Sequence, residues 1–188
     1  MKRNIEQAEI NDEYEGEKPM DSRLQAVIDR AEILDVLHQY VHACDRGDEP
    51  RLIDTYHPEA RDNHGGYQGT GHAFAKVVCE GNSQRETMSH LLGQSTIHLD
   101  GDKAGAETYF NATIARSEGG VRYIDMMGGR YIDKLERRED GKWRVQDRVC
   151  TCEWSFTMKV EHEWHKDGSF VRGTFDKTDL SYPVLGLR

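Results

Sequence analysis

The chain lacks the features that would commit it to a membrane or to nucleic acid. No run of 18 apolar residues occurs, so no segment is expected to span a bilayer and no membrane partner is expected. Basic residues are outnumbered, 25 Lys and Arg against 34 Asp and Glu, for a formal net charge of −9. Phosphate binding needs a basic footprint, so no nucleic-acid partner is expected. Met1-Lys2-Arg3 is followed by no apolar stretch, and no signal peptide is expected. Cysteine is sparse: Cys44, Cys79, Cys150 and Cys152 form no CxxC or zinc spacing. Cys150 and Cys152 share one face of a strand, a poor disulfide geometry, so free thiols and a cytoplasmic location are expected. GxSxG, GxGxxG, Walker and HExxH patterns are all missing, and neither a cofactor nor a metal is expected. His162-Glu163-Trp164-His165 and the scattered His38, His42, His57, His64, His72 and His98 carry no matching ligand pattern and read as hydrated surface.

What is present divides into three parts. Residues 1–20 are charged and weakly apolar, and read as a flexible N-terminal arm. Residues 21–156 have the periodicity of one folded domain. Residues 157–188 contain Trp164, Phe170, Phe175, Tyr182, Val184 and Leu185, too apolar for a free tail, and are expected to pack on the domain or on a neighbouring subunit.

Within the domain, Leu24, Val27, Ile28, Ala31, Leu34, Leu37, Val41 and Cys44 recur at three- and four-residue steps, the apolar stripe of a long helix. Asp21 or Ser22 caps it and Gly47 stops it. A second helix is expected over 49–56, ended by His57-Pro58. A third is expected over 73–80, with Thr70 as its cap. The period then changes to two. Strands are expected over 87–99, 104–116, 121–137 and 143–156, separated by glycine-containing turns, with a bulge at Gly128-Gly129. Three helices followed by a bent antiparallel meander predict an α+β fold, helices packed on one curved sheet.

Four side chains are candidates for chemistry. Asp45 falls at or beside the apolar stripe, where a carboxylate needs a partner. His90 shares a strand face with Met88 and Leu92. It reads either as a hydrogen-bonded core residue or as a general base whose tautomer Asp45 fixes. Tyr40 precedes Asp45 by a little over one helical turn, and its hydroxyl could polarise a carbonyl or assist a leaving hydroxyl. Strict alternation puts Arg148 with Arg144, Gln146 and Cys150, opposite Val145, Asp147 and Val149. It reads as a strand-surface salt bridge or as a clamp for an anion or leaving group.

In the order of its elements and the spacing of Asp45 and His90, the chain resembles the SnoaL-like branch of the NTF2-like superfamily. Within that branch it looks most like the hexachlorocyclohexane dehydrochlorinase, scytalone dehydratase and bile-acid dehydratase group. The resemblance covers about residues 22–156. The run from Arg30 to Asp45 is similar to the dehydrochlorinase helix that ends in a catalytic Asp, and Thr87-Met88-Ser89-His90 to the strand carrying its catalytic His. Arg148 matches an active-site Arg, and Tyr40 a Tyr of the bile-acid dehydratase. The resemblance implies a cone-shaped α+β barrel, a trimer or dimer, and chemistry without a cofactor. A dyad would remove a proton while water, chloride or a carbon fragment departs.

The function expected on these grounds is a cofactor-independent lyase acting on a hydrophobic, hydroxylated ring compound. His90 is the base, Asp45 its orienting partner, and Tyr40 and Arg148 steer the substrate or leaving group. Tyr67, Tyr109, Tyr123, Trp154 and Phe156 could stack on rings, which favours an aryl substrate such as a lignin-derived diol losing water or formaldehyde. An isomerase or cyclase of the same fold, and a noncatalytic binding module, remain open alternatives.

Overall fold

The computed structural model describes residues 21–80, 85–163 and 168–187. The arm over 1–20, Trp164 and His165 lie outside the described residues.

Helix α1, Ser22–Arg46, opens on Asp21, whose carboxylate accepts from the Arg23 N–H at 2.8 Å. It ends on Gly47, whose φ of +61° turns its N–H back onto the Ala43 and Cys44 carbonyls. The expected stripe holds over the C-terminal half, where Leu37, Val41 and Cys44 are buried, but the buried face is rotated over the N-terminal half. Leu24 and Val27 are exposed, while Asp29, Ile33, Leu37, Tyr40 and Cys44 point inward. The cause is electrostatic: Asp29 accepts from Arg137 and from the Trp143 indole N–H at 3.4 Å. A paired carboxylate is thereby drawn to the helix–sheet interface.

Helix α2, Glu49–Asp54, is shorter than expected. The Thr55 hydroxyl donates to the Leu52 carbonyl at 2.7 Å and closes it. Tyr56, expected in that helix, instead begins strand β1, Tyr56–Asn63, which runs parallel to the last strand of the meander. Pro58 falls where that pairing is irregular, between Tyr56 and Arg61, so its missing N–H interrupts no regular ladder. The short β2, Gln68–Thr70, leads into α3, Gly71–Glu80, where Thr70 Oγ1 accepts from the Ala73 N–H as the expected cap.

Strands β3 (Arg85–Asp100), β4 (Lys103–Glu118), β5 (Val121–Arg137) and β6 (Trp143–Lys159) form the meander. The sheet order is β2-β1-β6-β5-β4-β3, curved but unclosed, with β2 and β3 as edges. Along β4, Ala104, Ala106, Thr108, Phe110 and Ala112 are buried on the inner face, as period two requires. The helices pack on that face, α1 chiefly against β3 and α3 against β1.

Two irregularities shape the sheet. Opposite Gly128 and Gly129, β6 carries Glu153 as an extra residue. A Cβ on Gly129 would lie 1.9 Å from the Thr151 carbonyl oxygen, so only glycine fits there. Further down, Lys134 faces Asp147 while Leu135 faces Val145, leaving Gln146 as a second extra residue. Strict alternation places Val145 and Arg148 on opposite faces; the bulge turns both inward, and both are fully buried.

Strand β6 runs past the expected boundary at 156 to Lys159. Residues 168–187, including the short α4 (Ser181–Leu185), lie against the end of α1 and the start of α2. Arg46 pairs with Asp179 at 3.2 Å, the Tyr182 hydroxyl donates to Asp48 at 2.7 Å, and Phe175 packs against Gly47. Phe170, Val184 and Leu185 are exposed. Among the described residues, no helix is long and apolar enough to cross a membrane.

Candidate active site

The concave face of the sheet and the helices above it enclose a cavity of about 400 Å³. Its walls are largely apolar, with Phe74, Phe110, Ile114, Met127 and Tyr131, and a few polar groups converge on it: Tyr40, His64, Arg85 and His90. That combination is the usual character of a small-molecule site. A wider groove of about 840 Å³ lies beside α2, but its charges are engaged with one another. Arg144 pairs with Asp54 and Asp140, and Arg138 with Glu136.

Asp45 and His90 meet at the cavity wall. Asp45, in the last turn of α1, is 8% exposed. One of its oxygens accepts from His90 Nδ1 at 2.6 Å and the other from the His90 backbone N–H at 2.8 Å. A single carboxylate thus fixes both the strand and the ring borne on it. In the tautomer with Nδ1–H in that bond, the lone pair lies on Nε2, and His90 lines the cavity.

Tyr40 also lines the cavity, and its hydroxyl lies 3.2 Å from His64 Nε2. Burial, reinforced by Cys44, Tyr56 and Tyr131, pushes its pKa well above the ordinary tyrosine value. It therefore stays a phenol and serves as a hydrogen-bond donor. Burial likewise raises the thiol of Cys44, and lifts that of Cys150 to about 12. Both remain thiols, which argues against a cysteine nucleophile at these positions.

The family model of the SnoaL-like domain matches residues 25–149. The chain belongs to the SnoaL-like family. Solved structures with the same NTF2-like cone include a scytalone dehydratase-like protein from Novosphingobium aromaticivorans, 16% identical over 75% of this chain and 93% of that one, with a TM-score of 0.64. Another is the type-3 hexachlorocyclohexane dehydrochlorinase LinA of Novosphingobium barchaimii, 17% identical over 80% of this chain and 99% of that one, TM-score 0.65. A third is an NTF2-like superfamily protein from Salmonella enterica, 18% identical over 68% and 92%, TM-score 0.61. Comparison with curated protein sequences finds no match.

In this SnoaL-like cone, His90 and Tyr40 line the cavity; Asp45 reaches it only through His90, and Arg148 does not line it. Arg148 is neither a surface salt bridge nor in contact with the cavity. Its guanidinium bonds Asp133 through two 2.7 Å contacts and lies 3.9 Å from the centre of the Tyr40 ring and 4.4 Å from that of Tyr131. The bulge at Gln146 swings it beneath these rings, so it supports the floor from behind.

Two further residues at this SnoaL-like cavity escape sequence reasoning. His64, expected at the surface, stacks on Phe74 at 4.1 Å and bonds Asp62 through Nδ1. Asp62 in turn accepts from the Tyr56 hydroxyl at 2.5 Å. The signal was local: Tyr56, Ala60 and Asp62 are buried on one side of β1, leading to His64, and the short strand and turn expected over 60–69 began too late to include Tyr56. Arg85, just after residues 81–84, is the other. It is a permanent charge in the cavity wall, and burial pulls its pKa down from the ordinary value.

Proposed function

We propose that this SnoaL-like protein is a cofactor-independent lyase that eliminates water, or a small carbon fragment such as formaldehyde, from a hydrophobic, hydroxylated ring compound. A lignin-derived aromatic diol fits that description. The observation that carries the reading is the 2.6 Å bond from His90 Nδ1 to Asp45 on the wall of an apolar cavity. His90 Nε2 takes a proton from substrate carbon, the C–H electrons form the new double bond, and the hydroxyl departs. Asp45 holds the base-competent tautomer and balances the imidazolium that forms. The Tyr40 hydroxyl, positioned by His64 and Asp62, gives its proton to the departing hydroxyl, which leaves as water; after product release the proton held on His90 returns to the Tyr40 oxygen through solvent. For loss of formaldehyde, the same base removes the hydroxyl proton of a CH2OH group, the O–H electrons form the formaldehyde C=O, and the C–C bond pair becomes the new double bond as the neighbouring hydroxyl, protonated by Tyr40, leaves as water. Neighbours of this fold described as dehydratase and dehydrochlorinase support the reaction class.

Leu91, Tyr109, Ile132 and Val149 alternate with inward residues along the meander and remain exposed. On that ground we assign the protein to a homo-oligomer, a trimer or dimer.

The test is turnover of hydroxylated aromatic substrates by wild type, His90→Ala and Asp45→Asn, with product mass recorded. A loss of roughly 10²–10⁴-fold in both variants is expected, with product lighter than substrate by the leaving group. Wild-type rates in both variants would sink the dyad. Unchanged product mass would make the enzyme an isomerase.

A further inference from the structure

Among the described residues lining the cavity, Arg85 is the one with a permanent charge; the carboxylates behind the wall, Asp45 and Asp62, do not line it and are bonded to His90 and His64. A cation in an apolar wall is normally matched by an acid, as Arg148 is by Asp133 through Nε and Nη2. Among the described residues Arg85 has no such bonded match; the carboxylate that acts on it, Asp45, is itself bonded to His90. Its Nη1 reaches the Val78 carbonyl at 3.4 Å and the Met88 sulfur at 3.2 Å, both weak acceptor contacts. Its Nε is buried with no hydrogen-bond partner among the described residues. On the edge that Arg148 uses to grip a carboxylate, Arg85 therefore leaves Nε without a partner among the described residues. The weak hold on Nη1 leaves the side chain able to turn that edge into the cavity. The Phe175 ring, 5.7 Å from the guanidinium carbon, limits movement on the other side.

We infer that Arg85 is a specificity residue for a carboxylate on the ligand, so that the cavity selects aromatic carboxylates over neutral ring compounds of the same shape. The inference deepens the lyase reading by naming a substrate class: a hydroxylated ring compound that also bears a carboxylate. The ring lies against Phe110 and Tyr131, which stack on each other at 4.3 Å, and the carboxylate meets Nε and Nη2. At Nε it replaces no group bonded there among the described residues, so the charge-assisted bond forms there without breaking another.

Binding of 2-naphthoate and of its neutral isostere 2-naphthamide, measured by calorimetry at neutral pH, tests this without requiring turnover. Wild type is expected to bind the acid about tenfold or more tightly than the amide. Arg85→Gln should erase the preference, and Arg85→Lys, which keeps the charge and loses the fork, should retain part of it. Equal affinity for the two compounds in wild type, binding of neither, or a preference that survives in Arg85→Gln would overturn the assignment. His90→Gln separates the two readings. It should keep the acid preference, so a failed dyad leaves this result standing, and a failed preference leaves the dyad untouched.

Discussion

Asp45 accepts from both the ring and the backbone N–H of His90, which ties the chemistry to the register of β3. Tyr40 and His64 form the second polar unit of the cavity, and their effects should not add. Tyr40→Phe is expected to lower kcat by roughly 10²-fold, and adding His64→Gln should cost little more, because the same unit is already broken. A double-mutant cycle in kcat checks this; additive losses would mean the two act separately. Arg148 makes the opposite case. Removing it strands Asp133, whose side chain is fully buried, so Arg148→Met should lose roughly 3–5 kcal/mol of stability in urea unfolding. Arg148→Met with Asp133→Leu should regain most of it, since the buried charge is gone. Asp45 and His90 were legible because each breaks an apolar pattern, an acid on a helix stripe and an imidazole on a strand face. His64 was not, because it follows β1, where Pro58 and alternating charges hide the period. Arg148 was misplaced by a single extra residue, Gln146, which no local composition announces.

The meander could be read from its alternation and its glycine turns, and α3 from its Thr70 cap. The rotation of α1 could not, because it depends on Arg137 and Trp143, more than a hundred residues away. The junction of α1 with the C-terminal segment is equally long-range. Gly47 combines a φ of +61° with a Phe175 ring carbon 2.7 Å from where a Cβ would sit. Gly47→Ala should therefore cost roughly 1–2 kcal/mol in backbone strain alone and loosen the segment further. Thermal unfolding checks the first and proteolysis the second. Asp179 anchors the same segment. The Ser181 N–H and hydroxyl and the Thr174 N–H, with Arg46 beside it, hold its carboxyl down at about 2. A depressed carboxylate stabilises fully above its unfolded value of about 3.9 and loses that contribution as pH falls toward its folded one. Pepsin should accordingly spare the segment at about pH 5 and cut it increasingly toward pH 2, whereas Asp179→Asn should be cut already at pH 5. Equal resistance of the two proteins at pH 5 would show that Asp179 does not hold the segment.

The SnoaL-like cone has one face turned to its cavity and another that carries exposed Tyr109, Ile132 and Val149, with Trp154 and Phe156 stacked at 5.9 Å and also exposed. A homo-oligomer is expected by light scattering. Replacing Ile132 and Val149, which face each other across β5 and β6, with lysine should shift it toward monomer. A wild-type monomer would contradict the oligomer assignment without touching the site. The cavity and dyad follow from elements within one chain: α1 supplies the acid, β3 the imidazole, and the bulged sheet the curvature that brings them over an apolar floor. The central claim is that Asp45 holds His90 with Nδ1 protonated and the Nε2 lone pair open to the cavity. The ¹⁵N resonances of the His90 ring, recorded where the imidazole is neutral, report that tautomer directly. The account predicts a protonated Nδ1 in wild type and loss of that preference in Asp45→Asn. A protonated Nε2 in wild type, or the same tautomer in both proteins, would contradict it.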